Sequence, residues 1–238
     1  MLKFDGVKIN LKDINEKLEP VEKYDEVPFS VEIWRKLFHL VSLSIPVIYT
    51  FVTREFALVV LSIITILAIF IDLMIKKDNI VRVIIYKIFG KLFRKYERQN
   101  FVFNGATWML ISATLNVILF PKLATITSFY VLVISDACAA LFGKRFGRTR
   151  FLNKSLEGFL AFILSGFVVV TLVWLGFGLP LGFLLSAYVG VILAGIVESS
   201  SAFLRIDDNL GVPLAISLSL VVGSAIAKAN GLGFINLL

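Results

Sequence analysis

Apolar residues run along most of the chain in segments that match the length of a membrane-crossing helix. Such a helix needs about 20 mainly apolar residues to cross the hydrocarbon core of a bilayer. Very short connections follow the first, third and fifth segments, so the helices that they join are predicted to be antiparallel neighbours. The pattern predicts an all-α, polytopic transmembrane helix bundle of about seven spans, at 33–53, 55–75, 101–120, 124–142, 156–176, 181–203 and 210–228.

Two parts of the chain depart from this apolar pattern. Residues 79–98 place apolar side chains at helical spacing with basic residues on the remaining face, which predicts an amphipathic helix in the cytoplasmic interface. This helix would be either a plain linker or a lipid-facing ledge or gate. Residues 1–31 are polar and predict a cytosolic extension, in which helical spacing from Val7 to Leu18 competes with strand alternation from Val7 to Leu11. The remaining residues, 32–238, are assigned to the transmembrane domain.

Composition agrees with a membrane protein. Hydrophobic residues make up 58% of the 238 positions, only 17% are charged, and the mean hydropathy is +0.89. Soluble domains are about half apolar, with about a quarter of their residues charged. The single cysteine and single histidine argue against a disulfide framework and a zinc cluster. A net charge of +7 could indicate nucleic acid, but basic residues beside anionic lipid explain it better, so no nucleic-acid partner is predicted.

Basic residues set the predicted orientation. If the first span begins in the cytoplasm, 16 basic residues beyond the N-terminal extension lie inside, whereas Arg54, Lys122 and Lys228 lie outside. Cytoplasmic loops of membrane proteins carry an excess of lysine and arginine. The prediction is an integral, multi-pass membrane protein with its N-terminus in the cytoplasm and its C-terminus on the opposite side.

A first candidate site lies where the first span enters the membrane. Glu32, Arg35, Lys36 and His39 are spaced three and four residues apart, so they share one face of a helix. Arg35 and Lys36 alone would be ordinary topology anchors. Because a glutamate and the only histidine lie on the same face, a site for phosphate anions is the sharper hypothesis.

Acidic residues inside the predicted spans mark a second site. Burying a carboxylate there costs roughly 2–3 kcal/mol even on lenient scales, so Asp136 needs a partner. It is either a helix-packing aspartate paired with a nearby lysine, or a magnesium ligand or general base, and its intramembrane position favours function. Glu198 in the sixth span is predicted to hold Mg²⁺ together with Asp136, because this ion prefers oxygen ligands. Asp208 and Asn209 either join them or simply cap the seventh span.

The segment 143–158 is predicted to be a cytoplasmic nucleotide loop. Asn153 or Ser155 can cap the fifth span, and the free N–H groups at a helix N-terminus attract phosphate. Glycines would let the backbone approach the nucleotide. The segment is not a Walker A motif, since no GxxxxGK[ST] occurs. Its predicted contributors are Gly143, Lys144, Arg145, Gly147, Lys154, Ser155, Glu157 and Gly158.

These groups come from distant parts of the sequence and meet at one predicted face of the bilayer. Basic residues, acids and a helix N-terminus on the nucleotide-rich side indicate phosphoryl or nucleotidyl transfer onto a membrane lipid. Asn104, Thr107 and Asn116 in the third span are weaker candidates, and helix–helix hydrogen bonding is their expected role.

Four motifs resemble, in order, those of the dolichol kinase, phytol kinase and farnesol kinase family. They are Glu-Ile-Trp-Arg-Lys-Leu-Phe-His at 32–39, Ser-Asp-Ala-Cys-Ala-Ala-Leu-Phe-Gly-Lys-Arg-Phe-Gly at 135–147, Lys-Ser-Leu-Glu-Gly at 154–158 and Asp-Asn-Leu-Gly-Val-Pro-Leu at 208–214. The family includes a CTP-dependent diacylglycerol kinase, and it is more distantly similar to phosphatidate cytidylyltransferases. The opening Arg-Lys and His of 35–39 fit the kinases better.

The resemblance implies transfer of the γ-phosphoryl group of CTP, with Mg²⁺ or another divalent cation, to the hydroxyl of a polyprenol, dolichol, phytol-like prenol or diacylglycerol. Residues 32–238 would then be a transmembrane kinase domain whose partners are the lipid alcohol, the nucleoside triphosphate and the bilayer. The expected catalytic residues are Asp136, Arg35, Lys36 and His39, the expected metal ligands are Asp136 and Glu198, and Asp208 and Asn209 join the residues of 143–158 in binding the nucleotide.

Several alternatives stay open at this point. A cytidylyltransferase that makes CDP-diacylglycerol is the nearest, and a membrane transporter that uses the same intramembrane acids is the next. The sequence leaves open which lipid is the acceptor, whether CTP or UTP is preferred, and whether Asp136 acts as base or metal ligand. It also leaves the oligomeric state open.

Overall fold

The structure is a computed structural model that describes residues 2–4, 7–9, 29–76, 103–204, 206–229 and 234. Two N-terminal strands, β1 (Leu2–Phe4) and β2 (Val7–Ile9), pair antiparallel, so the strand interpretation of this part of the extension is the correct one. The predicted interfacial helix at 79–98 and the rest of the extension up to residue 28 lie outside the described residues.

Helices account for most of the described chain, as the apolar pattern predicted. Five of them are long and apolar enough to cross a membrane, which confirms the all-α membrane bundle: they are α3 (Arg54–Lys76), α5 (Lys122–Phe146), α6 (Leu156–Phe177), α7 (Leu181–Leu204) and α8 (Asp208–Ala229). The most buried of these is α5, which packs against α6 and α8, while α7 packs along α8. Fully buried side chains such as Phe129, Phe162 and Phe183 form the centre of the bundle.

The first predicted span, 33–53, is not one helix. It consists of α1 (Phe29–Val41) and α2 (Ser44–Phe51), separated by a turn at residues 42–43. Pro46 explains the break, because proline has no backbone N–H and its ring clashes with the carbonyl four residues earlier. That carbonyl, on Ser42, instead accepts a hydrogen bond from the N–H of Ile45 at 3.0 Å.

Together α1 and α2 run antiparallel to α5 along nearly its full length. Phe29 lies against the guanidinium of Arg145 near the end of α5, with 5.9 Å between that group and the ring centroid. Tyr49 lies beside Lys122 at the start of α5, and the Lys122 ammonium donates to the Thr50 carbonyl at 3.0 Å. The broken pair therefore takes the place of the single predicted span.

The third predicted span, 101–120, is represented by α4 (Gly105–Leu119), whose 15 residues make it shorter than the other spans. Hydrogen bonds between helices stabilise it, as predicted for Asn116. The Asn116 side-chain oxygen accepts from the Ser217 hydroxyl at 2.9 Å, and its backbone carbonyl accepts from the Thr125 hydroxyl at 3.1 Å. Asn116 thus joins α4 to both α5 and α8.

Segment 143–158 is not one loop, contrary to the prediction. Helix α5 continues to Phe146, and α6 begins at Leu156, so only the residues between them form a connection. That connection is a small hairpin of β3 (Arg150–Phe151) and β4 (Lys154–Ser155). Helical propagation costs little once a helix is packed against neighbours, which is why α5 extends beyond its apolar residues to Phe146.

Two of the basic residues predicted on the outer side cap helix ends. Lys122 does so through its hydrogen bond to the Thr50 carbonyl in the last turn of α2. Arg54 donates to the carbonyls of Val117 and Ile118 at 2.9 and 2.5 Å, in the last turn of α4. These carbonyls have no partner within their own helix, and a cation also complements the negative end of the helix dipole. This end of the bundle is opposite to the end that carries the candidate site.

Candidate active site

Helix α1 brings a lysine and a histidine side chain to the intramembrane aspartate of α5. The ammonium of Lys36 donates to Oδ2 of Asp136 at 2.5 Å, and Nε2 of His39 lies 3.4 Å from the same oxygen. Lys36 and Asp136 are both buried. Among the described residues, the His39 Nε2 atom is buried and has no hydrogen-bond partner. Asp136 therefore has the partner that its position requires, and it comes from 100 residues earlier.

The polar face of α1 points into the protein and its apolar face points outward. Glu32 and Lys36 are buried, whereas Trp34, Phe38 and Val41 are 62%, 54% and 68% exposed. A helix in water has the opposite arrangement, with its apolar face in the core. In a membrane bundle the exposed apolar face is the one that meets lipid, so α1 separates the polar interior from the bilayer.

A second cation, Lys154 of the β3–β4 hairpin, binds two carboxylates. Its ammonium contacts Oε1 of Glu198 in α7 and lies 3.2 Å from Oδ2 of Asp208 in α8. Burial lowers the pKa of Lys154, but the carboxylates of Asp208 and Glu198 outweigh this effect and raise it well above its usual value. Lys154 is therefore fully protonated at neutral pH. The hydroxyl of Ser199 donates to the other Glu198 oxygen at 3.2 Å.

Three acids thus converge from three different helices. Asp136, Glu198 and Asp208 each offer a carboxylate oxygen, and these three oxygens all lie within 4.8 Å of one another. Three carboxylates so close together repel each other strongly unless cations separate them. Lys36 on one side and Lys154 on the other supply two positive charges, one fewer than the number of carboxylates.

Local backbone contacts hold these side chains in place. The N–H of Asn153 donates to the Ser199 carbonyl at 3.1 Å, which fixes the hairpin against α7. At the start of α8, the Asp207 side chain accepts from the backbone N–H and the amide of Asn209, at 3.0 and 2.8 Å. Asp207 therefore caps this helix, and the capping role considered for Asp208 and Asn209 is wrong. Asp208 is left to face Lys154.

Three helix N-termini lie at the end of the bundle that carries the cluster. Ser155 caps α6, as predicted, because its hydroxyl accepts from the Gly158 N–H at 3.2 Å. Helix α8 begins at Asp208, and a Cβ on Gly105, the first residue of α4, would lie 3.5 Å from the Asn209 amide nitrogen. The positive ends of three helix dipoles, those of α4, α6 and α8, therefore point toward the same end of the bundle.

The three predicted glycines lie close to Ser155. A Cβ on Gly143 would come within 2.9 Å of the Ser155 hydroxyl and 3.3 Å of the Gly158 Cα atom. A Cβ on Gly147 would lie 2.9 Å from the same hydroxyl. The absence of side chains thus lets the end of α5 pack against the start of α6. Contact of these glycines with a nucleotide stays a prediction.

Other predicted site residues lie at the edge of the cluster. Arg35 forms an ion pair with Glu32 at 2.8 Å, one turn earlier in α1. The Glu157 carboxylate accepts from the Thr149 N–H at 3.1 and 3.3 Å, so it stabilises the hairpin. Lys144 and Arg145 are exposed on the last turn of α5. Their binding of a triphosphate stays a prediction.

Sequence reasoning missed Asp72, a buried carboxylate in α3. It accepts from the backbone N–H and the side-chain amide of Asn104, at 2.9 and 2.5 Å, while Asn104 caps α4 by accepting from the Thr107 N–H. An acid at the end of a long apolar run was the available signal. Asp72 therefore fixes the start of α4.

Comparisons with known proteins show a distant similarity to a lipid kinase. No family model matches the chain, and no solved structure matches it. It is 29% identical over 150 residues to CTP-dependent diacylglycerol kinase 1 of Saccharomyces cerevisiae, a match that covers 62% of the chain and 46% of the yeast protein. The chain thus matches less than half the length of this lipid kinase, which supports the predicted resemblance at the level of a distant relative.

A second match extends over most of both proteins. The chain is 33% identical over 195 residues to the uncharacterized protein RP860 of Rickettsia prowazekii, which covers 82% of the chain and 95% of that protein. Identity at this level over nearly the whole relative means that the two share one fold and one ancestry. The chain therefore belongs to the family of membrane proteins that includes RP860, with the yeast diacylglycerol kinase as a distant relative.

Proposed function

We propose that this protein is an integral membrane kinase that transfers the γ-phosphoryl group of CTP to the hydroxyl of a membrane lipid alcohol. The observation that carries the proposal is the convergence of Asp136, Glu198 and Asp208 with Lys36 and Lys154 in one cluster. Phosphoryl transfer depends mainly on positioning and charge neutralisation, for which carboxylates, a divalent cation and lysines are the recurring parts. The distant yeast relative acts on diacylglycerol, so diacylglycerol is the first acceptor to test and prenols are the second.

The acidic cluster fits a divalent cation such as Mg²⁺. This ion takes oxygen ligands and is usually held by one or two carboxylates together with the phosphates of its substrate. Asp136, Glu198 and Asp208 would hold it, because each offers an oxygen within 4.8 Å of the others. When bound, the cation would neutralise charge on the β- and γ-phosphates. Side chains of the protein would orient the nucleotide and accept the proton of the acceptor hydroxyl.

Positive groups around the cluster suit a triphosphate. Lys36 and Lys154 lie on two sides of the carboxylates, and the N-termini of α6 and α8 point toward the same region. Lys144 and Arg145 add exposed positive charge on the last turn of α5. In our proposal these groups orient the nucleotide so that its γ-phosphorus faces the acceptor.

In the transfer, the acceptor hydroxyl oxygen forms a bond to the γ-phosphorus while the bond from that phosphorus to the bridging oxygen breaks. CDP leaves, and the lipid becomes a phosphomonoester. In our proposal the hydroxyl proton goes to one of two bases, the Asp136 carboxylate or Nε2 of His39. These two groups lie 3.4 Å apart, and this Nε2 has no hydrogen-bond partner among the described residues.

We assign the cluster to the cytoplasmic face, where nucleotides are present. The loops that share this face with the cluster carry most of the basic residues of the spans and loops, which supports the orientation. The N-terminus would then be cytoplasmic and the C-terminus would lie on the opposite side.

Purified protein incubated with [γ-³²P]CTP, Mg²⁺ and a panel of diacylglycerol, phytol-like prenols and polyprenols tests the proposal. A kinase yields labelled lipid phosphate and CDP. A cytidylyltransferase, the nearest alternative, instead releases pyrophosphate when given phosphatidate, and that result would replace our proposal. We expect Asp136→Asn and Glu198→Gln to abolish transfer. Lys228→Met, an exposed change at the far end of α8, should leave it unchanged.

A further inference from the structure

Lys154 lies where a cation would bind. Its ammonium is in contact with carboxylate oxygens of Glu198 and Asp208, two of the three acids of the cluster. An ammonium and a divalent cation compete for the same oxygens, because both are attracted by the same negative charge. Water cannot take the place of the Lys154 ammonium beside Glu198, because this residue is only 1% exposed. The positive charge that faces Glu198 and Asp208 is therefore supplied by a side chain of the protein itself.

The two lysines of the cluster differ in how freely they can leave it. Lys36 is 7% exposed and holds Asp136 from inside the bundle. The Lys154 side chain is 34% exposed, so part of it reaches the surface of the protein. Its backbone is fixed, because Asn153 donates to the Ser199 carbonyl and Ser155 caps α6. Only the long, flexible side chain of Lys154 is free to move, and it can do so without disturbing the fold.

We propose that Lys154 is an exchangeable counter-ion: it holds the acidic cluster closed until a divalent cation displaces its ammonium, which then turns to the phosphates of the nucleotide. The proposal rests on the proposed function only in taking the cluster as the metal site. The same lysine thereby positions the triphosphate and delays metal binding until the nucleotide is present. It acts on the reaction through the cation and the phosphates, and it does not exchange a proton.

Charge accounts for the direction of the exchange. With Lys154 in place, three carboxylates face two ammonium groups. A divalent cation that replaces Lys154 neutralises the cluster and releases one positive charge, which a triphosphate then binds. Metal and nucleotide should therefore bind with positive coupling, and thermodynamic linkage makes this coupling reciprocal.

The test measures Mn²⁺ affinity of the full-length protein in nanodiscs by electron paramagnetic resonance, without nucleotide. Lys154→Met removes the competing ammonium, so we expect Mn²⁺ to bind at least about tenfold more tightly, while CTP binds more weakly. Arg150→Met removes the same charge from the exposed neighbouring strand and is the matched control, with an expected change of less than about twofold. Weaker or unchanged Mn²⁺ binding in Lys154→Met would overturn the exchange.

A second variant covers the case in which Lys154→Met does not fold. Lys154→Arg keeps the charge, and its planar fork binds carboxylates more persistently than an ammonium does, so Mn²⁺ should bind more weakly than in the natural protein. Tighter Mn²⁺ binding in this variant would contradict the proposal. In the natural protein, saturating CTP should raise the Mn²⁺ affinity, and this coupling should be weaker in Lys154→Met, where only the attraction between the cation and the phosphates remains.

The outcome is independent of the phosphotransfer assay. If Lys154→Met tightens Mn²⁺ binding but no lipid is phosphorylated, the exchange stands and the proposed reaction fails. If lipid is phosphorylated but Lys154→Met does not bind Mn²⁺ more tightly, the reaction stands and the exchange fails.

Discussion

The ion pair of Lys36 and Asp136 allows the loss of stability on removing one partner to be predicted. Two unit charges 2.5 Å apart attract each other by about 7 kcal/mol at an effective dielectric constant of 20, and desolvation offsets much of this gain. Removing one partner costs about 3–5 kcal/mol, because the other charge stays buried without compensation. Lys36→Met keeps an unbranched side chain and removes only the ammonium. We therefore expect it to lower the free energy of unfolding by about 3 kcal/mol.

The double variant Lys36→Met/Asp136→Asn separates stability from activity. With neither charge present, the double variant leaves no new uncompensated charge, so at least about half of the lost stability should return. Phosphoryl transfer should remain absent, since the proposed site has lost both groups. Unfolding is followed by tryptophan fluorescence in mixed micelles as the denaturing detergent is increased, and transfer is followed by labelled CTP. Lys228→Met is the control for removal of an exposed lysine.

Two results would refute this reasoning. If the double variant regained phosphoryl transfer together with stability, the Asp136 carboxylate would only be the structural partner of Lys36. If Lys36→Met unfolded no more easily than the natural protein, the ion pair would contribute nothing to the fold, and the placement of α1 against α5 would be wrong.

Three further predictions concern packing, capping and orientation. Gly143→Ala should lower stability by about 1–3 kcal/mol and weaken CTP binding, because its Cβ would crowd the start of α6, whereas Gly176→Ala, with nothing within 4 Å, should be neutral in a thermal melt. Arg54→Met should lose about 1–2 kcal/mol from two hydrogen bonds to helix carbonyls without changing KM for CTP, and a changed KM would contradict its structural role. In a cysteine-free background, Arg145→Cys should react with an impermeant thiol reagent only from the cytoplasm and Lys228→Cys only from outside, and the reverse pattern would overturn the orientation.

Features that the bilayer imposes were predictable from the sequence. A crossing helix must be apolar over about 20 residues, so the positions of α3, α5, α6, α7 and α8 follow from where the apolar segments lie along the chain. The need of an intramembrane acid for a partner was equally general, and it was met by Lys36.

Features that depend on which partner a side chain finds were not predictable. Lys154 was expected to bind phosphate, but an ammonium is attracted to carboxylates by the same force, and only the fold shows that Glu198 and Asp208 are adjacent. Asp72 escaped notice because its partner, Asn104, lies 32 residues further along the chain. The effect of Pro46 also depends on packing, since a proline either kinks a membrane helix or ends it according to which neighbours replace the lost hydrogen bond.

The reversed amphipathic character of α1 has a consequence for any acceptor that is dissolved in the bilayer. One helix, about 10–12 Å across, separates the Asp136 carboxylate from the exposed side chains of Trp34 and Phe38. A lipid at the outer surface of α1 is therefore only a short lateral distance from the charged cluster. Its hydrocarbon tail can stay in the membrane, so that only the small polar head has to leave lipid surroundings, and tail length has little influence on the free energy of reaching the site.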